Sequence, residues 1–204
     1  MDGAHISWTR SEQHRSWLLW SLAKRRDHAV ELLDPRNRDP NYLSKDELGT
    51  SSWFQTMLDV SDTFACSESL HIDVHGCRNP PDSSAHLTAG LGAMSEAGLG
   101  QCVEVFTKAL KTEIRRALGS LRLRPKAPLV RVVTVASSSS RFSGAWFEST
   151  GRQTQSQQAM IAGFTHSVQL EMSKALRTSL FKEKATIPKL GGALSAAWMA
   201  AVRG

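Results

Sequence analysis

Over residues 69–75 the side chains alternate: Leu70, Ile72 and Val74 fall on one side of an extended chain, and His71, Asp73 and His75 on the other. The pattern predicts a strand, which Gly76 and the Pro80–Pro81 pair then stop. A second alternation runs over residues 164–170. Carried on to Glu171, it gathers Thr165, Ser167, Gln169 and Glu171 on one face and Phe164, His166, Val168 and Leu170 on the other. Residues 101–118 follow another rhythm. Val103, Phe106, Leu110, Ile114 and Leu118 recur every three or four positions, the mark of an amphipathic helix. Residues 129–136 (LVRVVTVA) form a β-branched run suited to a buried strand. Residues 16–28, with Trp17, Leu18, Trp20, Leu22 and Ala23 ahead of a basic turn, read as a helix; residues 30–33 read as a short extended segment. Residues 172–180 read as a helix, and Gly191–Gly192 as a break before a last helix over 193–202.

Strands that alternate with helices predict an α/β fold, a mostly parallel mixed sheet flanked by helices. Ligands in such sheets sit beyond the carboxyl ends of strands. His75 and Glu171 both fall at such ends. There is no internal repeat, and the serine run 137–140 reads as a loop.

At 204 residues the chain suits a single domain over 1–204 with room for a sizeable core. No apolar run approaches the ~18–20 residues needed to span a membrane. The first fifteen residues are polar and lack the apolar stretch of a secretory signal, so a cytoplasmic location is expected. Cys66, Cys77 and Cys102 are odd in number and have no CxxC spacing, which argues against a disulfide framework and a cysteine-rich zinc site. The formal charge is +6. Such a surplus can signal a polyanion partner. Here the basic residues are scattered over 24–26, 111–116 and 122–126 without interleaved aromatics, as solvated helix faces would be. Nucleic acid therefore stays an alternative, not the expected partner.

Four segments could carry chemistry. An Asp and a His at the end of an otherwise apolar strand, as in Asp73-Val74-His75-Gly76, are costly unless paired, solvated or bound to metal. His75 reads either as a metal ligand oriented by a nearby carboxylate or as a hydrogen-bonded structural histidine. Glu171 in Gln169-Leu170-Glu171 reads either as a general base or as an acidic residue favoured near a helix N-terminus. The rigid loop Asp34-Pro35-Arg36-Asn37-Arg38-Asp39-Pro40 could grip a substrate carboxylate, or pair internally at the surface. Ser140-Arg141-Phe142-Ser143-Gly144 offers another arginine beside a glycine that permits close approach. No GxSxG, P-loop, GxGxxG or HExxH is present. Cys77 could be a nucleophile, but nothing around it in sequence would lower its pKa.

The order of these pieces resembles that of the N-formylglutamate amidohydrolases, relatives of the zinc carboxypeptidases. The matching residues are Asn37-Arg38-Asp39, Asp73-Val74-His75-Gly76, Gly90-Leu91-Gly92, Arg141-Phe142-Ser143-Gly144 and Gln169-Leu170-Glu171, over about residues 30–180. The resemblance implies a zinc carboxypeptidase-like, phosphorylase/hydrolase-like fold and hydrolysis of the amide bond of an N-acyl amino acid such as N-formylglutamate. It implies zinc as cofactor, His75 as metal ligand, Glu171 as catalytic carboxylate, and Arg38 and Arg141 as substrate contacts. The family's first metal motif, an early strand ending in His, has no match in the residues before Asn37, which read as a helix. His5, Glu12 and His14 could stand in for it. A chain lacking its front portion, or an inactive relative acting by binding, is the alternative.

Overall fold

Most of both stretches read from single alternation of apolar and polar residues is extended. The structure is a computed structural model, and it describes residues 3–10, 15–22, 42–64, 69–77, 85–121, 123, 132–135, 142–145 and 151–203. The segment read as SLHIDVH is β4, Ser69–Cys77; the second alternation becomes β8, His166–Ser173, which begins after Phe164 and Thr165, and Phe164 joins a separate apolar cluster instead of the face expected for it. With β1 (Gly3–Arg10), β2 (Arg15–Leu22), β5 (Leu87–Gly90) and β6 (Val132–Val135) they form a six-stranded sheet in the order β2-β1-β4-β8-β5-β6. A short ribbon pairs β3 (Tyr42–Ser44) with β7 (Arg152–Thr154).

The sheet is mixed, as expected, but not mostly parallel. Only β4–β8 and β5–β6 pair in parallel; β1–β2, β1–β4 and β5–β8 are antiparallel. A four-residue connection between β1 and β2 is too short for a parallel crossover, so a hairpin is the geometry open to it. That hairpin also corrects the helix expected over 16–28. Residues 16–22 belong to β2, where a run of Trp and Leu meets a partner strand and the strand preference of aromatic residues prevails. Residues 23–28 and the extended segment expected at 30–33 lie outside the described residues, as does the serine run 137–140. Of the strand expected over 129–136, the described part is 132–135.

One sheet face, carrying Leu70, Ile72, Leu87, Ala89, Val132, Val168 and Leu170, forms the main core. Two long helices cover it, α4 (Gly100–Leu118) and α7 (Thr186–Arg203), which pack closely on each other. The five residues that spacing assigned to the inner stripe of α4 are its buried ones. Each fully buried side chain of this kind contributes roughly 1.5–3 kcal/mol. The shorter α3 (Gly92–Glu96) and α6 (Lys174–Lys182) add Met94, Leu176 and Leu180 to the same core. The break expected at Gly191–Gly192 does not occur: α7 runs through both glycines and through Pro188. Pro188 falls in the first turn, where an amide donor would lack a partner anyway. Each glycine costs about 1 kcal/mol in a helix, and burial of Leu190, Leu194, Ala197 and Trp198 outweighs it.

A second cluster, Leu43, Leu48, Trp53, Phe54, Met57, Ala159, Ala162 and Phe164, is built by α1 (Lys45–Leu48), α2 (Ser52–Phe64) and α5 (Gln155–Ile161). Helix α5 packs on β4 and β8, and Phe164 meets His71 edge-on at 5.8 Å between ring centroids. The strands β3 and β7 each feed a helix through a capping box. Glu47 accepts from the Ser44 amide at 2.8 Å, and Gln157 from the Thr154 amide at 2.8 Å.

Candidate functional site

Parallel pairing of β4 with β8 sets His71 opposite Ser167, Asp73 opposite Gln169 and His75 opposite Glu171. Partners in register share a face, and adjacent strands run about 4.8 Å apart. The two alternations therefore merge into one polar ladder on the face turned away from the main core. The antiparallel strand β5 extends each rung: Thr88 stands opposite Glu171 and Gly90 opposite Gln169. On the far side β1 sets His5 at the register position opposite Asp73.

The ladder is buried, yet its members bond to one another. His71 Nδ1 lies 3.1 Å from Ser167 Oγ. Asp73 Oδ2 reaches His75 Nε2 at 2.7 Å, with Asp73 almost wholly enclosed and His75 8% exposed. Gln169 Nε2 donates to Glu171 Oε1 at 3.2 Å. A carboxylate on one ring nitrogen fixes the tautomer and angle of the imidazole and raises its basicity. His75 and Glu171 are neighbours at the carboxyl ends of two parallel strands, where ligands gather in α/β sheets.

Gly90 shows what lies over this face. A Cβ at that position would come within 2.2 Å of the Phe142 carbonyl oxygen and 2.5 Å of the Ser143 carbonyl carbon. Only a glycine admits backbone so close to a strand. The segment 142–145 is held there from several sides. The Gly92 amide donates to the Ser143 carbonyl at 2.6 Å, and the Thr154 hydroxyl donates to the Gly144 carbonyl at 2.5 Å. Phe142 (φ 67°) and Gly144 (φ 76°) both take the left-handed conformation, a strain for Phe142 that the surrounding bonds hold in place. A Cβ on Gly144 would lie 3.2 Å from Gln169 Cβ and 3.3 Å from Ser156 Oγ.

Four of the five motifs seen in sequence order thus meet at one place: Asp73-Val74-His75-Gly76, Gly90-Leu91-Gly92, the Phe142-Ser143-Gly144 part of the fourth, and Gln169-Leu170-Glu171. Arg38 and Arg141 lie outside the described residues, together with Asn37 and Asp39. Sequence reading placed Ser167 on the face of Gln169 and Glu171 but missed the rung supplied by Thr88 and the role of Gly90. The signal for Gly90 was its company, since a glycine pair flanking Leu91 allows backbone to approach from one side. Among the described residues, no group of three or more His, Cys, Asp or Glu gathers as a metal cage. No helix among them is long and apolar enough to cross a membrane. No protein-family model, curated protein or solved structure matches the chain.

Proposed function

We propose that the chain is a hydrolase of the amide bond of an N-acyl amino acid, N-formylglutamate being the type substrate, with its centre at the His75–Glu171 rung. The observation that carries this reading is their pairing across β4 and β8, with Asp73 on one nitrogen of the His75 ring. Imidazole backed by carboxylate, beside a second carboxylate, is the donor chemistry that zinc hydrolases use.

The residues fit zinc in kind. Catalytic zinc takes three protein ligands. His75 would be one, and His5, from its register position opposite Asp73, is the next candidate. Bound zinc would polarise the scissile carbonyl and acidify water. Glu171, steadied by Gln169, would take a proton from the attacking water and hand it to the departing amine. Asp73 would hold the His75 ring at a fixed angle throughout. Arg38 and Arg141 would bind the substrate's carboxylate.

Zinc content and amine release from N-formylglutamate and related N-acyl amino acids test the reading. Glu171→Gln is expected to lower turnover at least about 100-fold while zinc stays bound; His75→Ala is expected to lose the zinc. Wild-type turnover in Glu171→Gln, or no zinc taken up under saturation, rejects it. A second reading, a relative that binds the acyl amino acid without cleaving it, draws on the lack of a three-donor group among the described residues. Calorimetric binding with no turnover would select that reading.

A further inference from the structure

The opposite face of β8 carries a second arrangement. His166 lies in the main core, its ring edge-on to Phe106 at 6.0 Å and to Trp198 at 6.4 Å between centroids. An imidazole in such surroundings is costly unless both nitrogens are engaged. Nδ1 lies 2.9 Å from the Thr165 hydroxyl oxygen. That hydroxyl donates its one proton to the Ser69 carbonyl at 2.9 Å and accepts from the Ser69 amide at 2.8 Å. Nδ1 must therefore be the donor in the His166–Thr165 bond, which leaves the lone pair on Nε2. Nε2 is 3.1 Å from Cys102 Sγ. The thiol donates to the imidazole, and the imidazole is held by a third group.

Cys102 is the third residue of α4, and its thiol is half-buried. The N-cap residue of that helix, Leu99, brings no side-chain acceptor to the first-turn amides. A cavity of about 350 Å³ opens at this point, lined by Gly98, Leu99, Gln101, Cys102, Val105 and Ala201. It combines a nucleophile, apolar walls and the electropositive start of a 19-residue helix. Nucleophile, base and orienting group are within hydrogen-bond reach of one another, the arrangement of covalent catalysis.

We propose that Cys102, His166 and Thr165 form a second, thiol-based site that takes a small apolar acyl group from an ester or thioester. Cys102 Sγ attacks the carbonyl carbon and forms the new S–C bond. The carbonyl's bond to the leaving oxygen or sulfur breaks, and the thiol proton travels through His166 Nε2 to that leaving atom. The first-turn amides of α4, which the Leu99 cap gives no side-chain acceptor, would be the donors for the charge that develops on the carbonyl oxygen. Leu99, Val105 and Ala201 favour a short hydrocarbon chain over a charged one. Burial pushes the Cys102 thiol up and the His166 imidazole down. The pair therefore rests as neutral thiol and neutral imidazole, and the proton moves only as sulfur attacks.

The probe is p-nitrophenyl butyrate with the full-length protein. Nitrophenolate release is followed with time, and the acylated cysteine is located by peptide mass. Cys77, also half-buried, is the internal control. Cys102 is expected to acylate at least about tenfold faster than Cys77, with the rate falling about 100-fold in His166→Gln. Thr165→Val, which removes the hydroxyl acceptor at Nδ1 without touching the ring and leaves the Ser69 backbone carbonyl as its other partner, is expected to slow it several-fold. Equal acylation of Cys102 and Cys77 in the wild-type protein overturns the proposal. An unchanged rate in Thr165→Val or in folded His166→Gln overturns it too. The wild-type comparison and Thr165→Val decide the matter even if His166→Gln does not fold.

Discussion

Asp73 is enclosed within a strand, where a lone carboxylate would be strongly disfavoured, and the His75 ring at 2.7 Å is what makes it tolerable. Replacing it with Asn keeps the shape and removes the charge that orients the ring. At the proposed zinc site, Asp73→Asn is therefore expected to weaken metal binding by about 10–100-fold, read by competition with a chromophoric chelator. The other buried imidazole, His166, makes a separate prediction. Burial holds its pKa below the ordinary value of 6.5. The unfolded chain then binds a proton near that value while the folded chain does not yet. The stability that a neutral His166 contributes is thus present above about pH 6.5 and is lost as pH falls toward the folded value. Thermal melts should show Tm dropping on acidification, with a smaller drop in His166→Gln. Sequence alternation was enough to place His75 and Glu171 on polar faces. It could not reveal that the two faces are one, because a pairing between residues almost a hundred positions apart leaves no local trace. His166 did leave one, a polar residue on the apolar side of its strand, whereas Cys102 looked like any half-apolar helix residue.

At the level of elements, helix α4 was legible because a single amphipathic stripe dictates both its conformation and its packing. Strand β2 was not, since a Trp- and Leu-rich run fits neither period cleanly and its partner decides. The two glycines in α7 misled for a related reason: local propensity marks a break, and tertiary burial overrides it. Gly90 is the element-scale feature most open to test. Alanine there would place a methyl against the Phe142 carbonyl, which is backbone and cannot swing aside. Gly90→Ala is expected to cost about 1–3 kcal/mol by overpacking, measured as a lower urea midpoint. It should also lower the proposed acyl amino acid hydrolysis, because segment 142–145 would lift from the ladder. A wild-type midpoint would show that the segment does not rest on β5.

Among the described residues a six-stranded sheet carries apolar clusters on both sides, and β4 and β8 contribute to its central pairings. Both clusters pack on that sheet, the second also taking Leu43 from the short β3–β7 ribbon. Unfolding should therefore be a single transition, with Trp53 in one cluster and Trp198 in the other reporting the same midpoint as far-UV circular dichroism. Distinct midpoints from single-tryptophan variants would mean that the α1–α2–α5 side melts by itself. The general α/β class was visible in the succession of strands and helices. The strand directions were not, because connection lengths were hidden wherever an element went unrecognised.

Strand β8 carries residues of both proposed centres, Glu171 on one side and His166 on the other. A single inserted or deleted residue between them would rotate half of the strand by 180° and send one of those groups to the wrong environment. The spacing of five positions from imidazole to carboxylate is therefore a constraint on the length of the chain here as much as on its composition. A one-residue indel within 167–170 would disable at least one centre.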